Sequence, residues 1–133
     1  MKTLMAVGEI VEVFGSLLPP MFIQISDKVY ATPTESDAWS LLKDNYIEQY
    51  RYMAETFDCD DYALLLHAWV RQEQYRNRWE HPWALGEAWG YFGGEKHALN
   101  VVVTADNGLM LIEPQSDGMR KNDKKDIFTF VRM

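Results

Sequence analysis

The sequence predicts an α+β domain in which N-terminal helices pack on an antiparallel sheet formed mainly by the C-terminal half. Three observations carry that expectation. Leu4, Val7, Ile10, Val11 and Phe14 recur at helical spacing early in the chain. A β-branched run from Ala98 to Thr104 is followed by Asp106-Asn107-Gly108, which is turn chemistry, and by a second apolar run from Leu109 to Ile112. Ile127 to Val131 then adds a further strand of alternating character. Helices first and strands later is the order of helices gathered on one face of an antiparallel sheet.

Each element follows from local chemistry. The first helix spans residues 3–14 and is stopped by Gly15 and Pro19-Pro20. Phe22 to Ser26 and Val29 to Ala31 read as short strands around an Asp27-Lys28 turn. Thr34 caps a second helix through Trp39, Leu41 and Leu42, with Asp37 in the place of the capping-box acid. Residues 45–55 are rich in Tyr and Glu, carry no strong turn signal and are expected to be helical. Tyr62 to Val70 is apolar almost all round, which predicts a buried central helix. Asp58 is its expected N-cap, and Asp60 and Asp61 fall in a first turn where the helix dipole favours anions. Residues 78–94 mix Trp79, Trp83, Trp89, Tyr91 and Phe92 with one proline and four glycines, and are expected to be loop and turn.

Composition narrows the function. With 133 residues and no internal repeat, one domain over residues 1–133 is expected. Thirteen basic against 20 acidic side chains give a net charge of −7, which argues against nucleic acid as a partner. The basic group around Arg120, Lys121, Lys124 and Lys125 is broken by Asn122 and Asp123 and reads as a solvated turn. A single cysteine allows no internal disulfide. Glu9 and Glu12 interrupt the apolar start, so it does not read as a signal peptide, and no run reaches the roughly 18 apolar residues of a membrane span. A cytoplasmic location without membrane association is therefore expected, with virion association as a variant. No cofactor is implied. One Cys and three scattered His lack the paired spacing of a zinc site.

One constellation carries chemistry. A cysteine in the first turn of a buried helix meets free backbone N–H groups and the positive end of the dipole, both of which favour thiolate. A histidine entering a neighbouring strand can take the thiol proton, and a carboxylate on the next strand can hold the imidazole. Cys59, His97 and Glu113 supply these parts in that order. A hairpin turning near 105–108 would bring His97 and Glu113 to one level.

The residues around these three resemble a family. Phe57-Asp58-Cys59-Asp60-Asp61-Tyr62-Ala63 is similar to the nucleophile motif of the transglutaminase-like superfamily, in particular its bacterial cysteine peptidases. His97-Ala98-Leu99-Asn100-Val101-Val102-Val103 resembles the histidine strand, and Ile112-Glu113-Pro114 falls where that family closes the hairpin with Asp-Pro. The resemblance covers about residues 57–115, as short motifs. It implies a papain-like fold and a thiol-dependent amide hydrolase or acyltransferase. Cys59, His97 and Glu113 would be its catalytic triad, acting on a peptide, an isopeptide or a cell-wall peptide.

Two departures motivate an alternative. Glu113 is one methylene longer than the family's Asp, and Asp58, Asp60 and Asp61 surround the thiol with like charges that disfavour thiolate. The alternative is an inactive binding module for a glycan, a peptide or a protein partner, for instance an accessory protein from a phage. In either case Trp79, Trp83 and Trp89 are the candidate ligand-binding side chains. His67 lies two helical turns from Cys59, about 12 Å along the axis, and reads as structural; His81 reads as an exposed loop residue.

Overall fold

A computed structural model describes residues 4–19 and 22–133. Met1 to Thr3, where the first helix was expected to begin, and Pro20 of its expected stop lie outside the described residues.

The sheet organises the molecule. Eight strands accompany three α-helices among the described residues. In chain order they are β1 (Leu4–Ala6), α1 (Val7–Gly15), β2 (Ile23–Gln24), β3 (Val29–Ala31), α2 (Glu35–Leu42), α3 (Cys59–Arg76), β4 (Leu85–Phe92), β5 (Glu95–Thr104), β6 (Gly108–Glu113), β7 (Gly118–Lys121) and β8 (Ile127–Arg132). Six strands form one sheet in the order β2-β8-β4-β5-β6-β7, antiparallel except for the β2–β8 pair, and β1 pairs with β3 beside it.

This corrects the expected helices-on-one-face arrangement. Helices cover both faces. On one, Ile10 and Phe14 of α1 pack on Ala88, Leu99, Val101, Leu111, Phe128 and Val131. On the other, Tyr62, Leu66, Trp69 and Val70 of α3 meet Leu85, Val102, Met110 and Ile112, with Leu42 of α2 beside them. The cause lies in β5, where every residue from Ala98 to Thr104 is buried. A strand buried on both sides reads as a continuous apolar run and demands two covering layers. One strand from the N-terminal half, β2, joins the sheet at its edge.

Two further expectations change. The stretch 78–94 is not all loop, because it holds β4, whose neighbours in the sheet are β5 and β8. Two of its glycines are strand glycines of a special kind. A Cβ on Gly86 would collide with the Arg132 carbonyl, and one on Gly90 with that of Ile127, so β8 approaches only because they lack one. Gly93 and Gly94 take φ of +62° and +84° and form the two-residue turn of the β4–β5 hairpin, for which both central residues need positive φ. Residues 45–55 contain only one 3-10 turn, Ile47–Gln49. The buried Asn45 side chain accepts from the Ile47 N–H at 2.8 Å and donates to Asp117 at 2.9 Å, local bonds that compete with a helical ladder.

Helix α2 and the β5–β6 hairpin form for the reasons read from the sequence, whereas Leu4 belongs to β1 rather than the first helix, and Arg120 and Lys121, read as a solvated turn, belong to β7. Thr34 Oγ1 accepts from the Asp37 N–H at 3.0 Å and starts α2. The β5–β6 ladder runs from Asn100↔Ile112 to Thr104↔Gly108. Asn100 then fixes α3 to the sheet. Its fully buried amide donates to the Ala63 carbonyl at 2.9 Å and to the Gly86 carbonyl at 3.0 Å, joining helix, β5 and β4 at one point.

Candidate functional site

The site gathers where α3 begins. Asp58 precedes the helix, and Asp61 Oδ2 reaches back to accept the Asp58 N–H at 3.0 Å, the return bond of a capping box. Cys59 is therefore the first helical residue and is half-buried. The Asn100 bonds hold the next turn of α3 against the sheet, which fixes where the thiol stands.

A cavity of about 330 Å³ opens there, walled by Cys59, Asp60, Trp89, Tyr91, His97 and Thr129, with Lys96 beside them. Cys59 and His97 thus share one cleft, from α3 and from the start of β5. Glu113 ends β6, and its Oε2 lies 2.5 Å from His97 Nε2. Glu113 Oε1 also accepts from the Gln115 N–H at 3.2 Å, so both carboxylate oxygens are held. The expected level pairing is corrected in detail. Extending the ladder one pair beyond Asn100↔Ile112 sets Glu113 beside Leu99, so it meets His97 along the diagonal. Long side chains bridge such diagonals. His97 and Glu113 also line a second cavity of about 450 Å³ with Leu99, Leu111 and Met119. The imidazole stands between the two hollows.

The tryptophans separate. Trp89 reaches the Cys59 cleft, packed edge-on against Phe130 at 5.5 Å between centroids with Arg132 over its ring. Trp79 and Trp83 stack on each other at 4.8 Å, and Trp79 lines a different cavity. Sequence reasoning missed Tyr91, Lys96 and Thr129. The Gly93-Gly94 pair between two aromatic-rich runs was the hairpin signal that would have placed the first two.

Electrostatics sharpen the picture. The hydrogen bond with Asp58, then burial and the charges of Asp58 and Asp61, push the Asp60 carboxyl above its ordinary value. One donor atom each of Asp58, Cys59 and Asp60 lie within 4.8 Å of one another, and among the described residues this is the cluster able to hold a metal ion. Behind the cleft, His67 Nδ1 lies 2.7 Å from Glu87 Oε2, and Arg132 grips the same carboxylate at 2.9 and 2.7 Å. Burial works against the Glu87 charge, but these bonds outweigh it and hold the carboxyl below its usual range. His67 is thus committed to the core. No helix among the described residues is long and apolar enough to cross a membrane.

The fold has counterparts among solved structures. Residues 30–119 match the family described as agglutinin C-terminal, and the chain belongs to that family. Two solved structures share its fold. The PSL1a-E64 complex aligns with a TM-score of 0.82 at 20% identity, over 99% of this chain and 52% of that one. Polyporus squamosus lectin bound to the human-type influenza-binding epitope Neu5Aca2-6Galb1-4GlcNAc aligns with a TM-score of 0.77 at 21% identity, over 99% and 50%. The chain therefore spans about half the length of these structures. No curated protein sequence matches it.

These findings correct the sequence-based assignment. The transglutaminase-like resemblance gives way to the agglutinin family, and the papain-like class to the fold of the lectin structures. The thiol-dependent amide hydrolase or acyltransferase, the hydrolase and cysteine-peptidase description and the peptide or cell-wall substrate fall with it. The error has a physical source. A cysteine at a helix mouth, a strand histidine and a hairpin carboxylate form a local motif that recurs on different scaffolds, so it cannot assign a family.

Proposed function

We propose that residues 1–133 form one carbohydrate-binding module, with its ligand in the cleft between the mouth of α3 and strands β4 and β5. The observation that carries this reading is the composition of the cleft. Trp89 offers an aromatic face to the apolar side of a sugar ring, while Asp60, Lys96, His97 and Thr129 offer donors and acceptors to its hydroxyls. The agglutinin family and the glycan-bound lectin of the same fold support it. Tryptophan fluorescence of a Cys59→Ala variant, titrated with Neu5Aca2-6Galb1-4GlcNAc and with its component sugars, tests it. A saturable change that Trp89→Ala abolishes is expected. A flat response to every sugar refutes the reading.

The His97–Glu113 bond favours a second property of the same cleft. It engages Nε2 and leaves Nδ1 as the ring nitrogen outside that bond. In this proposal Cys59 is a reactive thiol, His97 accepts its proton and Glu113 positions the ring. That Cys59 and His97 wall one cavity supports it. Stoichiometric iodoacetamide labelling at neutral pH, slowed by His97→Ala, is the expected result; labelling no faster than that of free cysteine contradicts it.

A further inference from the structure

We propose a second ligand site, for the oxyanion of a carboxylate or phosphate group, in the cavity beside the C-terminal end of α3. The cavity measures about 530 Å³ and is lined by Arg71, Gln74, Arg78 and Trp79. Arg71 lies about 18 Å along the helix from Cys59, so this hollow is separate from the cleft.

The argument is an inventory of donors and acceptors. Arg71 spends its guanidinium on neutral oxygens: Gln74 Oε1 at 3.0 Å, the Trp83 carbonyl at 3.3 Å and the Leu85 carbonyl at 3.4 Å. A guanidinium carries five N–H donors, so two remain. Among the described residues no carboxylate forms an ion pair with it, and burial pulls its pKa down by more than the charges of Asp27 and Tyr30 raise it. Beside it, the Gln74 side chain is buried and its Nε2 has no hydrogen-bond partner. Buried polar groups left without partners are rare and call for an acceptor. Arg78 adds a third source of donors at the rim. It sits at φ +53°, an unfavourable conformation for a side chain of its size, held by its N–H on the Tyr75 carbonyl at 3.2 Å. All these groups donate, and an oxyanion accepts.

Two features oppose an anion here, and both are limited. A helix C-terminus is negative, but its last carbonyls are already engaged. Asn77 donates to Glu73, the Trp79 N–H to Gln74 and the Arg78 N–H to Tyr75. Asp27 and Glu80 also stand on the cavity wall. The charge of Asp27 acts on Arg71 without forming an ion pair with it, and the Glu80 side chain is 89% exposed, so the two remaining Arg71 donors stay unpaired. Their charge limits the site to a single oxyanion group, and Arg76 is neutralised by its pair with Glu73.

Fluorescence of the full chain, with Trp79 in the cavity wall as reporter, is titrated with sodium phosphate and separately with sodium acetate, against sodium chloride at equal ionic strength. A saturable response to either oxyanion is expected, and the arm that responds identifies the group. Gln74→Leu removes the orphaned donor but keeps the backbone ties of Arg71, and weakens binding about fivefold to tenfold. Gln74→Glu places a carboxylate where the ligand's would lie, and should abolish the response while raising the melting temperature. Responses equal to that of chloride, or an unchanged affinity in Gln74→Leu, overturn the proposal.

Discussion

Glu113 Oε2 and His97 Nε2 lie 2.5 Å apart, joining the end of β6 to the start of β5 where His97 faces the Cys59 cleft. The carboxylate fixes the orientation of the ring. Glu113→Gln keeps a side chain of the same shape but no charge. Cys59 labelling by iodoacetamide is expected to slow about threefold to tenfold, the equivalent of roughly 1 kcal/mol, with the fold unchanged by circular dichroism.

Asp60 tests the acidic collar. Its carboxyl is raised by the bond to Asp58 and by burial, so the folded chain holds that proton more tightly than the unfolded chain does. Its contribution to stability is present below the ordinary Asp value and is lost as the pH rises through the raised folded value. Asp60→Asn should remove that loss, giving a flatter stability profile at mildly acid pH. It should also speed Cys59 labelling by taking away a like charge.

The Glu87 network sets acid stability. The Glu87 carboxyl is held low, so its contribution is complete above the ordinary Glu value and is lost as the pH falls through the lower folded value. Asp126, held low chiefly by its bonds with Arg120, acts in the same direction. Melting temperature should therefore fall on acidification, and less steeply in Glu87→Gln. At neutral pH, Arg132→Met leaves a fully buried carboxylate with only His67. It should cost about 3 kcal/mol in urea unfolding.

Gly90 combines structure and site. It lines the cleft, and the backbone of β8 passes where its Cβ would be. Gly90→Ala should force β4 and β8 apart and cost about 3 kcal/mol, whereas Gly8→Ala, which meets nothing, should leave the urea midpoint nearly unchanged.

Much of this was written in local chemistry, and the failures have local causes too. Thr34, Asp58 and the Asp106-Asn107-Gly108 turn act on their immediate neighbours, so they could be read directly. The strand β4 could not be read that way. Gly86 and Gly90 look like loop residues in sequence because the close approach of β8 is a tertiary fact. The apolar run of β5 announced burial on both faces, yet it was counted only as strand, and the layer formed by α1 was missed. At the site, Cys59, His97, Glu113 and Trp89 were named from sequence, and the structure sets three of them around one cleft with Glu113 bonded to His97. Trp79 and Trp83 went elsewhere because stacking on each other satisfies them. The family was misread because motifs report a site, while the scaffold is reported by the whole chain.

The most direct test is the rate of Cys59 alkylation measured with and without saturating saccharide. If the cleft holds the ligand, the free domain labels faster than free cysteine, and bound sugar protects the thiol in proportion to its occupancy. A rate matching that of free cysteine and indifferent to every saccharide would contradict the account.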